Sequence, residues 1–104
     1  MNQEIFKQIQ TLKRQILPND VVILFGSQAR GDERADSDWD LVVIVDKPKE
    51  DTFEDYGNYA YPFTDLGWDY GVCVNPLLYT KEDWEKGKIS LFRKNVMREG
   101  IIIK

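Results

Sequence analysis

Apolar residues recur along this chain with two different periods, and the switches between them mark its elements. Over residues 3 to 17, Ile5, Ile9, Leu12 and Ile16 stand four, three and four apart, with Phe6 beside them. That spacing is one face of an amphipathic helix. Pro18-Asn19-Asp20 stops it and turns the chain into Val21-Val22-Ile23-Leu24-Phe25, a run without a polar member that predicts a buried strand. A second such run, Leu41 to Val45, follows a charged link. Because neither of its faces is polar, it predicts a central strand covered on both sides. Lys47-Pro48-Lys49 then predicts a solvated turn.

From Glu50 to Leu66 the helical period returns in Phe53, Tyr56, Tyr59/Ala60 and Phe63, and Pro62 predicts a bend or break nearby. The tyrosines Tyr56, Tyr59 and Tyr61 are core residues at this spacing rather than base-stacking ones. Residues 69 to 79, DYGVCVNPLLY, predict a third strand with Cys73 as buried filler. Thr80 caps a short helix running to Gly87, and Ser90 caps another with Leu91, Phe92 and Val96 inward and Gly100 as its terminator. Ile101-Ile102-Ile103 closes as a short strand, either paired at a sheet edge or buried in a partner, a second copy included. The order of elements predicts an α/β (α+β) fold, a small mixed or antiparallel sheet flanked by helices, as a single domain over residues 1–104.

Composition narrows the class of function. With 42% apolar and 31% charged residues and no apolar run near the roughly 20 residues of a membrane span, a globular protein off the membrane is expected. The opening MNQEIFKQIQ lacks the basic-then-apolar order of a signal peptide, so the expected location is cytoplasmic. One cysteine cannot form an internal disulfide, and the absence of histidine excludes imidazole metal sites and His-based triads. A net charge of −4 argues against a nucleic-acid binder working by phosphate neutralisation.

The chemistry concentrates between Leu24 and Val45. Residues two apart on a strand share a face, so Asp38 and Asp40 project together while Trp39 and Leu41 project oppositely. Paired carboxylates repel, and a divalent cation with a taste for hard oxygen compensates them, which suits Mg²⁺. Gly26-Ser27 ends the first strand where a helix begins; glycine lets a phosphate approach the backbone, and the Ser27 hydroxyl and the following N–H groups are donors. Residues 27 to 37 are too few for a helical crossover, so the two strands pair antiparallel. Gly26, Ser27, Asp38 and Asp40 then converge at one edge of the sheet. Arg30 either faces that site or pairs with Asp32 or Glu33.

Gly26-Ser27-Gln28-Ala29-Arg30-Gly31 followed by Ser37-Asp38-Trp39-Asp40-Leu41 resembles the GSxxxG…DxD signature of minimal nucleotidyltransferases, within the DNA polymerase beta-like superfamily. A looser likeness extends to the closing Val96…Arg98-Glu99-Gly100-Ile101. The resemblance implies transfer of a nucleoside monophosphate from a triphosphate, ATP foremost, to an acceptor hydroxyl. It implies one or two Mg²⁺ ions on Asp38 and Asp40, phosphates on Gly26, Ser27 and Arg30, and a third carboxylate on the third strand. Two residues compete for that last place, Asp69 and the neutral Asn75. It also implies a HEPN-type partner, the toxin of a toxin–antitoxin pair in which this chain is the antitoxin. Two functions therefore stay open: a metal-dependent enzyme, favoured by the intact Gly26-Ser27 and aspartates, and a weak or inactive module regulating a partner by contact, favoured by Asn75 and small size.

Overall fold

In a computed structural model, which describes residues 1–46, 52–86 and 90–104, the chain alternates helices with strands around one sheet. The elements are α1 (Gln3–Ile16), β1 (Val21–Phe25), α2 (Ser27–Arg30), β2 (Trp39–Val45), α3 (Thr52–Asp55), a π-helical turn (Tyr56–Ala60), α4 (Tyr61–Asp69), β3 (Val74–Thr80), α5 (Lys81–Glu85), α6 (Ser90–Glu99) and β4 (Ile101–Ile103). Among the described residues the strands form a sheet of order β3-β2-β1-β4. β1 pairs antiparallel with both β2 and β4, and β2 pairs parallel with β3. The short link after β1 serves the antiparallel pair, while the parallel pair is joined by the longer helical crossover its geometry demands.

Alternation along the strands divides the core. Val22, Leu24, Trp39, Leu41, Val43 and Val45 meet Ile5, Ile9 and Phe63 of α1 and α4 on one face. Ile23, Val42 and Ile44 meet Trp84 and Val96 of α5 and α6 on the other. On that second face Phe25–Phe92, Tyr79–Trp84 and Trp84–Phe92 pack with ring centroids 5.4, 5.3 and 6.2 Å apart. β2 is therefore central and covered on both sides, as its unbroken apolar run predicts.

The structure corrects several expectations. The third strand begins at Val74, not at residue 69. α4 runs on to Asp69, and the chain reverses at Gly71 (φ 68°). Gly67 permits the return: a Cβ there would lie 2.8 Å from both the Val72 carbonyl and Val74 Cγ2. The irregularity expected near Pro62 is the single π turn before it, which leaves Pro62 in the first turn of α4, where its missing N–H costs no intrahelical bond. Cys73 is half-buried and precedes the strand. α5 ends at Glu85, short of Gly87. Leu91 points outward, 74% exposed, and Tyr56 and Tyr61, expected in the core, are exposed, with Tyr59 alone of the three packed against it, while Val96 is buried as expected.

Gly100 follows α6 but is not left-handed. It is glycine because a Cβ would lie 2.4 Å from the Val96 carbonyl and 2.5 Å from Ile23 Cγ2. Ile101–Ile103 pairs at the sheet edge, with Ile103 buried and Ile102 53% exposed. Thr80 caps α5 by accepting from the Asp83 N–H at 3.1 Å. The expected turn at 47–49, the start of the helix at Glu50 and the Ser90 side-chain cap lie outside the described residues and side chains.

Candidate active site

The register aligns one residue from each of three neighbouring strands: Phe25 opposite Asp40, and Asp40 opposite Asn75. All three share the face that carries Val42 and Ile44, at the end where β1 finishes and β2 and β3 begin. Gly26 follows Phe25 with φ 76° and ψ −157°, a region open essentially to glycine alone. Its neighbour makes the same demand, because a Cβ on Gly26 would lie 2.6 Å from Asp40 Oδ2. Backbone and carboxylate are thus in contact across the strand boundary, and the Gly26, Ser27, Asp38 and Asp40 cluster forms where the spacing places it.

α2 is a single turn closed on itself. The N–H groups of Ala29 and Arg30 donate to the Gly26 carbonyl at 3.1 Å each, and those of Gly31 and Asp32 donate to the Ser27 carbonyl at 3.0 and 3.2 Å. The N–H groups of Ser27 and Gln28, at the start of the turn, precede any helical acceptor and remain the donors on offer. Buried Gln28 ties the turn to the next strand: its Nε2 donates to the Ser37 carbonyl at 3.2 Å, while Ser37 Oγ accepts from the Arg34 N–H at 2.7 Å. The Trp39 N–H donates to the Cys73 carbonyl at 2.9 Å, which fixes the start of β2 against β3.

Asp38 is exposed and Asp40 half-buried, and a single side chain draws them together. Asn75 Nδ2 donates to Asp38 Oδ2 at 3.0 Å and to Asp40 Oδ1 at 3.4 Å. The Cys73 thiol donates to Asn75 Oδ1 at 3.3 Å, which orients the amide with its NH₂ toward the carboxylates. The register therefore sets Asn75 beside Asp38 and Asp40. Asp69, its rival, ends α4 as an exposed residue and is not on the sheet, because Gly71 reverses the chain before the strand starts.

Arg30 takes the pairing expected of an arginine in a charged link and one more. Its Nε donates to Asp32 Oδ2 at 3.3 Å and its Nη1 to Glu99 Oε2 at 3.5 Å. These carboxylates, Asp32 above all, hold the guanidinium in its charged form more firmly than in water. Beside Gly26 and Arg30 opens a cleft of about 310 Å³, whose far wall is α6. Glu99 as a partner of Arg30 was not readable from the spacing; its only sequence signal is its place in the closing Arg98-Glu99-Gly100. The Cys73 contact had a weak one, since residues 73 and 75 stand two apart and share a face in extended chain. Larger clefts, of about 450 and 360 Å³, are lined by Val45 and Thr80 and by Asn19, Asp20 and Asp46, at the other end of the strands.

The model of the nucleotidyltransferase domain family matches residues 4–103 of this chain. A protein of Methanocaldococcus jannaschii that carries the provisional name of a protein adenylyltransferase is 33% identical over 82 residues, 79% of this chain and 75% of that one. Among solved structures, the crystal structure of a toxin–antitoxin with AMP-PNP superposes with a TM-score of 0.66, covering 100% of this chain and 73% of that chain at 19% identity. At that identity the likeness is one of fold.

Proposed function

We infer, from the premise that this chain belongs to the nucleotidyltransferase domain family in its minimal form and transfers nucleotidyl groups, that it adenylylates a hydroxyl of a partner protein in a metal-dependent reaction. The observation that carries this reading is the convergence of Asp38 and Asp40 on one point beside Gly26-Ser27. A point where two carboxylates share one N–H donor is also one where a small hard cation satisfies both, so the donor set fits Mg²⁺. Among the described residues it is a set of two, since no group of three or more Cys, Asp or Glu side chains is placed to hold one ion. Bound there, Mg²⁺ supplies charge neutralisation at the transferring phosphoryl group.

The chain's own residues do the rest by placement. The Ser27 hydroxyl and the N–H groups of Ser27 and Gln28 hold phosphate oxygens, and Gly26 keeps that backbone close to Asp40. Arg30 turns from Asp32 toward the phosphates. The acceptor oxygen forms its bond to the α-phosphorus as the bond to the bridging oxygen breaks, and pyrophosphate leaves. Asn75 steadies both carboxylates but takes no proton, so the hydroxyl proton passes to solvent and transfer is slow.

The relative's name supports ATP as donor and protein as acceptor, and the structural neighbour supports a toxin as partner, a HEPN-type protein in our reading. We place the protein in the cytoplasm; no helix among the described residues is long and apolar enough to cross a membrane. Exposed Ile102 at the edge strand is the apolar patch that a partner or second copy covers.

A second reading, a module acting by contact alone, is favoured by the Asn75 amide between the carboxylates. Incubation with Mg²⁺ and α-labelled ATP, with and without the product of an adjacent reading frame, separates them. Labelled partner is expected, with the label lost in Asp38→Ala/Asp40→Ala; no label with any acceptor makes the contact-only module correct.

A further inference from the structure

Of the sheet's two edges, β3 is the one next to the strand that carries Asp40. The parallel ladder fixes how its backbone is turned. Across that ladder the Trp39 N–H donates to the Cys73 carbonyl, and alternate residues turn both backbone groups to the same side, so Asn75, Leu77 and Tyr79 bond toward β2 while Val74, Pro76 and Leu78 face outward. The Val74 carbonyl is taken, accepting from Thr64 Oγ1 of α4 at 3.2 Å. Pro76 falls where the missing N–H of proline breaks no ladder bond. Beyond it, the Leu78 N–H and the carbonyls of Pro76 and Leu78 form a short run of edge groups with no strand beside them among the described residues.

The cleft of about 450 Å³ lies along this run, between a shoulder formed by Asp55 and Tyr56 and another formed by Asp83 of α5. Its apolar lining is open to water: Leu77 and Tyr56 are 42% and 43% exposed. Leu77 shares its strand face with Asn75, two residues and roughly 7 Å away, so the near end of the cleft adjoins the carboxylates. An edge with unpaired backbone groups, flanked by apolar side chains, is the surface that an extended segment of another chain completes as an added strand. Asp55 and Asp83 stand on the two shoulders, and no basic side chain lines the cleft among the described residues, so a segment with a Lys or Arg suits it better than an acidic one.

We propose that the protein bearing the acceptor hydroxyl lays an extended segment along the outer edge of β3, pairing with the backbone of Pro76 and Leu78 and covering Leu77 and Tyr56. A hydroxyl about two or three residues further along that segment then reaches Asp38 and Asp40, given the rise of extended chain. The inference rests on the adenylylation reading above and gives its acceptor a place. Backbone pairing sets the register of the segment, and the apolar contacts set how tightly it is held. The covered Val74 carbonyl ends the pairing just before the carboxylates, which leaves the hydroxyl residue free of the ladder and able to turn toward them.

The test uses the full chain with Mg²⁺, α-labelled ATP and the product of an adjacent reading frame as acceptor. In Leu77→Gln and Tyr56→Gln the KM for the acceptor is expected to rise about three- to tenfold, with kcat at saturating acceptor and calorimetric Mg·ATP affinity held at the wild-type level. Leu77→Met, which keeps the apolar contact, is expected to keep the wild-type KM. Addition of the acceptor is also expected to slow hydrogen exchange at the Leu78 amide. An unchanged KM in folded Leu77→Gln, a loss confined to kcat, or unaltered exchange at Leu78 each overturns the docking inference, while transfer by the wild type upholds the reading beneath it. A dimer of the chain alone that Leu77→Gln dissociates assigns the edge to a second copy and overturns it too. A wild-type protein that labels no acceptor overturns both.

Discussion

Replacing Asn75 by Asp puts a third carboxylate against Asp38 and Asp40, and its consequences can be worked out atom by atom. The substitution removes the NH₂ that donates to Asp38 and Asp40 at 3.0 and 3.4 Å and puts a carboxylate oxygen in its place. Two hydrogen bonds to charged acceptors are worth about 1.5–3 kcal/mol each when shielded from water. Asp38 is exposed, so its share falls to the scale of surface pairs, under about 1 kcal/mol. The new like-charge contacts add about 1 kcal/mol apiece at water-like dielectric, more where Asp40 is half-buried.

A net loss of about 4–6 kcal/mol in the metal-free protein follows, or a fall in Tm on the order of 20 °C for a domain of this size. A divalent cation relieves the same repulsion, so Mg²⁺ should return most of that loss and bind the variant more tightly than wild type. Thermal melts in EDTA and in Mg²⁺ measure this directly, and labelled transfer to the partner should rise. Melts of Asn75→Asp that match wild type in EDTA would refute the contact of Asn75 with both carboxylates, and melts that ignore Mg²⁺ would refute the proposed cation site there.

Asp38→Ala/Asp40→Ala should abolish the Mg²⁺-dependent part of ATP binding by calorimetry, and equal heats in wild type, variant and EDTA would rule out a two-carboxylate metal site. Gly26→Ala should cost about 1–3 kcal/mol in chemical denaturation and lose nucleotide affinity with both aspartates intact, since it faces a positive φ and a 2.6 Å contact with Asp40 together; a variant as stable as wild type refutes that contact. Asp69→Ala should leave transfer rates at the wild-type level, and a large loss would mean that the end of α4 reaches the substrate. Gly100→Ala should lower Tm by several degrees through its clash with Ile23 and the Val96 carbonyl, and an unchanged melt would show that α6 shifts freely on the sheet.

Much of the site was legible because it depends on local rules. The antiparallel pairing of β1 with β2 follows from the brevity of the link 27–37, and strand alternation then fixes Asp38 and Asp40 on one face opposite Trp39. The choice between Asp69 and Asn75 was not legible, because it turns on where β3 starts. That start is set by a tertiary contact, Gly67 against Val72 and Val74, and by the positive φ of Gly71. Leu91 was misplaced for a similar reason: spacing fixes which residues share a face of α6, but its rotation is fixed by Gly100 against Ile23 and by Phe92 between Phe25 and Trp84. Asn75 as a donor to both aspartates required the parallel register, which joins segments far apart in the chain.

That register also sets an order of assembly. Gly26 and Asp40 are close in sequence and meet across an antiparallel pair, whereas Asn75 reaches Asp40 only after the crossover through α3 and α4 has folded back. Contacts of long sequence separation bear the larger closure entropy and form late. The carboxylates are thus brought side by side before the amide that binds them arrives, and during that interval a cation is the partner within reach. On the metal-dependent reading proposed above, a chain folding in the presence of divalent ions meets the ion before it meets its own Asn75, and the ion would then take part in the folding reaction as well as in catalysis.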